Sequence, residues 1–302
     1  MNRFKTILLG AVAVAGASTM TSCLSDNDDN TSSTVQLTYA NCFNAVTDRS
    51  TGEVNIFTGP KYTFTLKTFA NGTSTLKITM TNVKLADGES LISLDLPELP
   101  VTVPTDITKP NTVSGRDIVP TNMVSSEIVF DYINVKFLLR YLENNRQSFV
   151  YAVEYSVNGK YNVVTFPTTA FYYARTTSAP ADGGTPFVTT DPRYAVTFNP
   201  DKKTATIDIT GAKFIENMPA MNMTFGNVPF ECVGNSIDMN AESLTPTIQG
   251  VEYPGYPITS LRSTITPAET GSLSFTCAPE RLGAFNVGVQ LYDILTKEQA
   301  GI

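Results

Sequence analysis

Large apolar side chains recur at every second position through much of the chain, which is the period of a β-strand with one buried face. The clearest run covers residues 149–157, and Asn158-Gly159 then leads into a second apolar run at 161–166. Asn-Gly between two such runs is the strongest short-range signal for a β-hairpin. The pattern therefore predicts a hairpin whose turn lies at Asn158 and Gly159.

The apolar segment before this hairpin, residues 128–142, fits one long strand. Its second half, 137–142, also fits a short helix, and the sequence leaves both alternatives open. Elsewhere Thr, Val, Ser and Asn are frequent, Pro and Gly recur, and long amphipathic helical patterns are scarce. That combination is typical of short strands joined by turns, so we predict an all-β protein.

An internal repeat is the second strong feature of the sequence. Residues 75–100 align without a gap with residues 204–229, and apolar and polar positions alternate in the same way in both segments. Shorter matches flank this block in the same order, 60–64 with 192–196 upstream and 159–163 with 283–287 downstream. Because each copy has the size of one domain, we predict two tandem antiparallel β-barrel or β-sandwich domains related by internal duplication.

A Pro- and Gly-rich segment at 176–190 separates the two copies and is the predicted linker. The Pro-rich run 253–257 and the region 104–147 depart from a simple barrel pattern, so closure of the barrels stays open. The predicted organisation is a signal peptide at 1–22, a flexible acidic tether at 23–34, a first β domain at 35–175, the linker at 176–190, a second β domain at 191–295 and a tail at 296–302.

The N-terminus has the features of a secretory signal. Arg3 and Lys5 precede an apolar run at 7–17, and small and polar residues then lead to Cys23. The run is shorter than the roughly 20 residues that a transmembrane helix needs. A cysteine at this point resembles a bacterial lipoprotein lipobox, which implies that Cys23 is acylated and anchored in membrane lipid. An ordinary secretory signal with an incidental cysteine is the alternative.

Acidic residues directly after Cys23 extend this resemblance. Asp26, Asp28 and Asp29 resemble the surface-export signal of Bacteroidota lipoproteins. With the repeated β-rich copies that end in a hairpin, the chain resembles Bacteroidota surface lipoproteins with tandem calycin-like (lipocalin-like) β-barrel domains. The resemblance implies a protein anchored in the cell outer membrane and exposed at the surface. It carries no ligand-binding residues over to this chain.

Three cysteines remain once Cys23 is acylated: Cys42, Cys232 and Cys277. Their spacing is not that of a zinc site, which needs close pairs. Cys232 and Cys277 both belong to the second copy, and their approximate counterparts in the first copy are Val103 and Val153. That paired replacement predicts a Cys232–Cys277 disulfide. Two buried free thiols are the alternative.

Composition narrows the classes of function. The chain carries a net charge of −7 and lacks a basic cluster, which disfavours binding to nucleic acid. It also contains no histidine, the commonest general base and metal ligand, so nucleophile pairs that need histidine cannot form. We expect neither an enzyme nor a metal or cofactor site.

Two classes of function remain. The first is a lipid-anchored, non-catalytic module that binds a small molecule or a glycan. Exposed aromatic side chains are the candidates for its ligand rim: Tyr253, Tyr256, Tyr172 and Tyr173. The second class is a fimbrillin-like structural or adhesive subunit, which would donate an N-terminal strand such as residues 35–39 to another chain. Pairing of residues 35–39 within their own domain would favour the first class.

Overall fold

A computed structural model describes residues 20–23, 31–106, 109–123, 127–142, 146–280, 282–297 and 300–302. Nearly all of the regular structure in these residues is β-strand, which confirms the predicted all-β class. Only one short helix occurs among them, α1 (Ile294–Lys297). None of the helical residues described forms a segment that is long and apolar enough to cross a membrane.

The first half of the chain forms one sheet. Its strands are β1 (Met20–Cys23), β2 (Thr31–Tyr39), β3 (Cys42–Asp48), β4 (Val54–Thr58), β5 (Lys61–Phe69), β6 (Ser74–Val83), β7 (Ile92–Asp95), β8 (Leu99–Thr102), β9 (Asn111–Ile118), β10 (Phe130–Leu142), β11 (Arg146–Val157) and β12 (Tyr161–Pro167). The segment that fitted either a strand or a helix is therefore a strand, β10. The β11–β12 hairpin has its turn at Asn158 and Gly159, as the sequence predicts.

The second half forms a separate sheet. Its strands are β13 (Thr169–Pro180), β14 (Phe187–Thr189), β15 (Arg193–Asn199), β16 (Thr204–Ala212), β17 (Met221–Val233), β18 (Ser236–Leu244), β19 (Thr247–Ile248), β20 (Val251–Glu252), β21 (Ile258–Ile265), β22 (Thr270–Cys277) and β23 (Phe285–Tyr292). The Pro-rich run 253–257 is the loop between β20 and β21.

The second sheet closes into an eight-stranded antiparallel barrel. Neighbouring strands follow the order β16-β15-β13-β23-β22-β21-β18-β17, and β17 pairs back with β16. Buried and exposed residues alternate along β21, β22 and β23, so one side chain in two fills the interior and the other lies on the outer face. The choice between barrel and sandwich is thereby decided for this domain.

The first sheet is curled rather than closed by a hydrogen-bonded pair. Its order is β1-β2-β5-β6-β8-β9-β10-β11-β12-β3-β4. Only residues 40–41 separate β2 from β3, so the chain itself joins two strands that lie far apart in this order. In the second barrel the single strand β13 corresponds to both β2 and β3 of the first sheet. Its first half pairs with β15, and its second half pairs with β23.

Strand register supports the predicted duplication. In the first sheet Thr75 lies opposite Pro100, and in the barrel Thr204 lies opposite Pro229. These are the residues at the two ends of the aligned segments. The ungapped sequence match therefore corresponds to one and the same pairing of strands in both copies.

A β-bulge recurs at matching positions as well. The register of β6 shifts between Met80 and Val83, and that of β16 shifts between Ile209 and Ala212. Inside these shifts Asn82 has φ 57° and Gly211 has φ 78°. Asparagine and glycine are the residues that adopt positive φ at least cost, so each copy meets the same backbone requirement with a different residue.

The structure places paired strands in the segment that was predicted as a linker, 176–190. Ser178 of β13 lies opposite Phe187 of β14. The Pro and Gly residues of this segment form the turn of that hairpin, and the two copies meet instead at Thr168, between β12 and β13. Residues 169–175, assigned to the first domain, therefore belong to the second barrel.

The predicted tether and tail also contain regular structure, since β2 starts at Thr31 and α1 includes Thr296 and Lys297.

The two copies share part of a hydrophobic core. Residues 42–46 of β3 are all buried, because one face lies against the first core and the other against the second. The Phe43 ring lies 5.9 Å from the ring of Phe198 and 6.1 Å from that of Phe230, both in the second core. Phe166 of β12 joins the same cluster. The domains are therefore packed together and not only joined by a chain.

Candidate functional site

Large side chains fill the interior of both domains. The largest fully buried ones include Tyr62, Tyr155 and Phe64 in the first core and Phe225 in the second. Two concave surfaces with room for a ligand lie on the outer face of the second barrel, around β13, β22 and β23. A search for the site therefore begins with the outward side chains of these three strands.

Two adjoining concavities share the side chain of Arg175. The first has a volume of about 450 Å³ and is lined by Arg175, Val188, Thr189, Thr190, Asp191, Tyr292 and residues 300–302. The second has a volume of about 550 Å³ and is lined by Arg175, Thr177, Ser272, Leu273, Ser274, Gly288, Val289 and Gln290. Both volumes fall in the range of ligand pockets. We call the two concavities together the Arg175 trough.

The pairing of strands explains how these residues come together. Arg175 and Thr177 of β13 lie opposite Gln290 and Gly288 of β23. Gln290 and Gly288 in turn lie opposite Ser272 and Ser274 of β22. Residues two apart on a strand share a face, so this group forms one outward surface.

Residues with small side chains line the bottom of the trough. Gly288 occupies a strand position where a Cβ atom would meet no atom of a described residue within 4 Å. The missing side chain therefore leaves open space on the outer face. Ser272 and Ser274 add hydroxyl groups at the same level, which can donate or accept hydrogen bonds from a polar ligand.

Arg175 is the cationic side chain among the lining residues of the trough. Its side chain is exposed, and it forms no hydrogen bond or ion pair with any residue that the structure describes. A guanidinium presents five donors in a planar fork that matches carboxylate, sulfate and phosphate groups. Its donors are therefore available to a ligand.

Two further cations flank Tyr173, which precedes Arg175 on the same face. The Arg193 guanidinium lies 4.8 Å from the centre of the Tyr173 ring, and Lys297 Nζ lies 3.7 Å from it. Arg193 Nη1 also donates to the carbonyl oxygens of Thr190 and Asp191 at 2.8 and 2.9 Å. These contacts hold both cations beside the trough without a carboxylate partner among the described residues.

Tyr172 does not belong to a ligand rim. Consecutive residues of a strand face opposite ways, and Tyr172 points into the barrel, where only 6% of it is exposed. Burial raises the pKa of its hydroxyl, and the nearby carboxylate of Asp293 raises it further. The prediction for Tyr172 is therefore wrong, whereas Tyr173 lies on the outer face beside Arg193 and Lys297.

Tyr253, which is exposed, and Tyr256, which is partly buried, form a pair at the opposite end of the barrel. Their rings lie 5.1 Å apart in an edge-to-face arrangement, and Tyr253 is 47% exposed. The loop that carries them is held by hydrogen bonds from Tyr253 N to Pro246 O at 2.9 Å and from Glu280 N to Gly255 O at 3.1 Å. Because the length of β22 separates this loop from Tyr173, roughly 20 Å at 3.3 Å per residue, the predicted rim residues do not form one site.

The predicted disulfide is not formed. Cys232 and Cys277 are buried free thiols on β17 and β22, and strands β18 and β21 lie between these two strands. A disulfide needs Cα atoms within about 7 Å, closer than strands three places apart in a sheet. Burial raises the pKa of each thiol to about 12. Strand register also matches Cys277 with Val157 of the first copy, not with Val153.

The predictions about the N-terminal residues stay predictions. Asp26, Asp28 and Asp29 lie outside the described residues. Cys23 ends β1, opposite Thr34 of β2, and its acylation stays a prediction.

The sequence pointed to tyrosines and not to Arg175. A usable signal was present, because Phe171, Tyr173, Arg175 and Thr177 alternate with residues that face the core. The linker predicted at 176–190 cuts through this alternation, which separates Thr177 from the other three residues. Gln290 and Ser272 come into register with Arg175, and Lys297 comes to lie beside Tyr173, only through the folding of distant segments.

Comparisons with known proteins give no information about the site. The chain matches no protein-family model, no curated protein and no solved structure.

Proposed function

We propose that this protein is a lipid-anchored, non-catalytic protein of the outer membrane surface that binds its ligand in the Arg175 trough. The single observation that carries the proposal is an exposed guanidinium without a partner among the described residues, placed where two ligand-sized concavities meet. Filled interiors favour the outer face over a lipocalin-like internal cavity. The lipobox-like sequence at Cys23 supports the anchor.

Pairing of the N-terminal strand supports this function over the fimbrillin-like alternative. Residues 34–39 of β2 pair continuously with β5 of the same sheet, with Val35 opposite Leu66 and Tyr39 opposite Tyr62. Leu37 and Tyr39 are buried in the first core. A subunit that donates this strand would lose both the pairing and these core contacts, so we favour the binding protein.

Ligand binding is tested by screening residues 31–302 against an array of oligosaccharides and small polar metabolites. Gly288→Leu fills the trough from a position with open space above it, and we expect it to abolish binding of the captured ligand. Gly226→Leu is the matched control, because a Cβ at Gly226 also meets no described atom within 4 Å and lies away from the trough. A ligand that binds the Gly288→Leu variant as well as the unchanged protein would contradict the location of the site.

Anchoring is tested separately in a bacterial host that processes lipoproteins. We expect Cys23→Ala to move the protein from the membrane fraction to the soluble fraction, because the acyl chains would have no attachment point. Cys42→Ala is the control, since Cys42 is buried in the fold. Retention of the Cys23→Ala variant in membranes after a high-salt wash would contradict the anchor.

A further inference from the structure

We infer that the ligand of the Arg175 trough is an acidic polysaccharide, a chain of sugars that bear carboxylate or sulfate groups. This inference rests on the proposed function and names the chemistry of its ligand. It is argued from the charges around the trough, the groups that line it and the strand edges near it.

Charge around the trough differs from that of the whole protein. The chain has a net charge of −7, yet Arg175, Arg193 and Lys297 gather on one face without a carboxylate partner among the described residues. Four other cations of the described structure are paired with a carboxylate, in the ion pairs Lys67–Glu98, Lys84–Asp87, Lys136–Glu269 and Arg262–Glu242. Asp191 is the one acidic side chain among the lining residues. The local excess of positive charge favours an anion.

Uncharged groups of the trough suit sugars. Thr177, Ser272 and Ser274 present hydroxyls, and Tyr292 donates to Gln290 Oε1 at 2.8 Å, which leaves the amide NH₂ of Gln290 to donate to a ligand. Tyr173 and Phe171 add aromatic side chains on the same face, and Phe171 is 74% exposed. A few fixed polar groups with an aromatic neighbour can orient a ring that carries several hydroxyls.

The extent of the trough favours a chain over a single ion. Its lining residues come from β14, β13, β23 and β22, which are neighbours in the sheet. Three strand spacings of about 4.8 Å give a width of roughly 14 Å. A surface of this width can contact several sugar units at once.

Strand pairing disfavours an extended peptide. Peptides that bind sheets usually add a strand to an open edge. Here β13 pairs with β15 and β14 on one side and with β23 on the other, and β22 and β23 are likewise paired on both sides. Along β13, β22 and β23 the trough therefore offers side chains and not free backbone groups, whereas the three-residue strand β14 pairs with β13 alone.

Calorimetric titration of residues 31–302 tests the inference with three probes of similar length. The probes are an oligogalacturonate of about ten units, its fully methyl-esterified form and a dextran sulfate oligomer. We expect one or both acidic probes to bind and the neutral ester to bind at least about tenfold more weakly, because charge-assisted hydrogen bonds to a guanidinium would be lost. The acidic probe that binds identifies carboxylate or sulfate as the recognised group.

Variants assign the effect to named side chains. We expect Arg175→Gln and Lys297→Gln each to weaken binding of the acidic probe while leaving the melting temperature unchanged. Lys67→Gln is the control, because this lysine lies on β5 of the first sheet and pairs with Glu98. Binding of the acidic probe should also weaken as salt is raised.

The outcomes distinguish failure of the proposed ligand chemistry from failure of the proposed binding function. If the methyl ester binds as tightly as the acid and Gly288→Leu abolishes both, the acidic ligand is refuted and the binding function stands. If poly-glutamate binds with the same dependence on Arg175, the anion is supported but the polysaccharide is refuted. If neither the three probes nor any ligand of the array binds, the proposed function itself fails.

Discussion

Four polar side chains meet inside the first sheet. The Tyr62 hydroxyl donates to Asn44 Oδ1 at 2.8 Å, and the Thr165 hydroxyl lies 2.9 Å from both groups. Tyr155 lies 3.4 Å from the Tyr62 hydroxyl. Strand register matches these residues with Thr176, Tyr194, Phe275 and Val289 of the second barrel. Among these four residues one hydrogen bond is present, between the hydroxyls of Thr176 and Tyr194 at 3.2 Å.

Because the two copies differ in this network, replacing the matching tyrosines with phenylalanine should change the free energy of unfolding by different amounts. Tyr62→Phe should lower the free energy of unfolding by about 1–2 kcal/mol, because buried partners lose their hydrogen bonds. Tyr194→Phe removes a single longer bond and should cost less than about 1 kcal/mol. Urea unfolding of residues 31–302 measures both variants. Equal losses would show that the network in the first sheet adds no stability.

Buried thiols predict how stability depends on pH. Burial raises the pKa of Cys232 and Cys277 from 9.0 to about 12, and it raises that of Cys42 further. The unfolded chain therefore releases these protons first, and stability falls as pH rises above about 9. Each thiol can contribute a slope of up to about 1.4 kcal/mol per pH unit.

Melting temperatures of residues 31–302 between pH 8 and 11 check this prediction. We expect a steady fall for the unchanged protein and a smaller fall for Cys277→Val, which introduces the residue found at the matching position, Val157. Buried tyrosines such as Tyr62 act in the same direction above pH 10 and leave a residual slope. Identical slopes for both proteins would refute the role of this thiol.

At the scale of the element, β13 explains why the domain boundary was misplaced. Its residues 176–180 precede Gly183 and Gly184 and therefore lie at the edge of a turn-rich segment. Turn residues between two β-rich copies suit either a linker or a hairpin, since both need a change of chain direction. Pairing of β13 with β14 and β23 selects the hairpin.

The matching bulges give a prediction about backbone conformation. Gly211→Asn should be nearly neutral, because Asn82 already adopts a positive φ at the matching position. Gly211→Val should cost about 1–3 kcal/mol, since β-branched residues strongly disfavour this conformation. The nearest atoms to an added Cβ lie at 4.0 Å, so steric overlap would not add to the cost. Chemical unfolding compares the two variants, and equal stabilities would contradict the explanation.

At the scale of the whole molecule, the contact between the two domains should make them unfold together. Phe43 is fully buried, and its ring lies near those of Phe166, Phe198 and Phe230. Phe43→Ala should lower stability by about 3–5 kcal/mol through lost burial and the cavity left behind. It should also weaken the coupling between the domains.

Differential scanning calorimetry of residues 31–302 tests this coupling. We expect one transition for the unchanged protein and two for Phe43→Ala. Phe171→Ala serves as the control, because the Phe171 ring is mostly exposed and should leave both the transition and its midpoint in place. Two transitions in the unchanged protein would show that the shared core does not couple the domains.

The sequence by itself determined the all-β class, the β11–β12 hairpin and the duplication, because alternation and turn residues act over a few neighbouring positions. It did not determine the domain boundary, the state of Cys232 and Cys277 or the direction in which Tyr172 faces. Those features depend on which strands become neighbours, and the same alternating pattern fits several pairings. Only the tertiary structure brought Arg175, Gln290 and Ser272 into register and placed Lys297 beside Tyr173. Closure of the barrel, and not any local motif, assembled the candidate site.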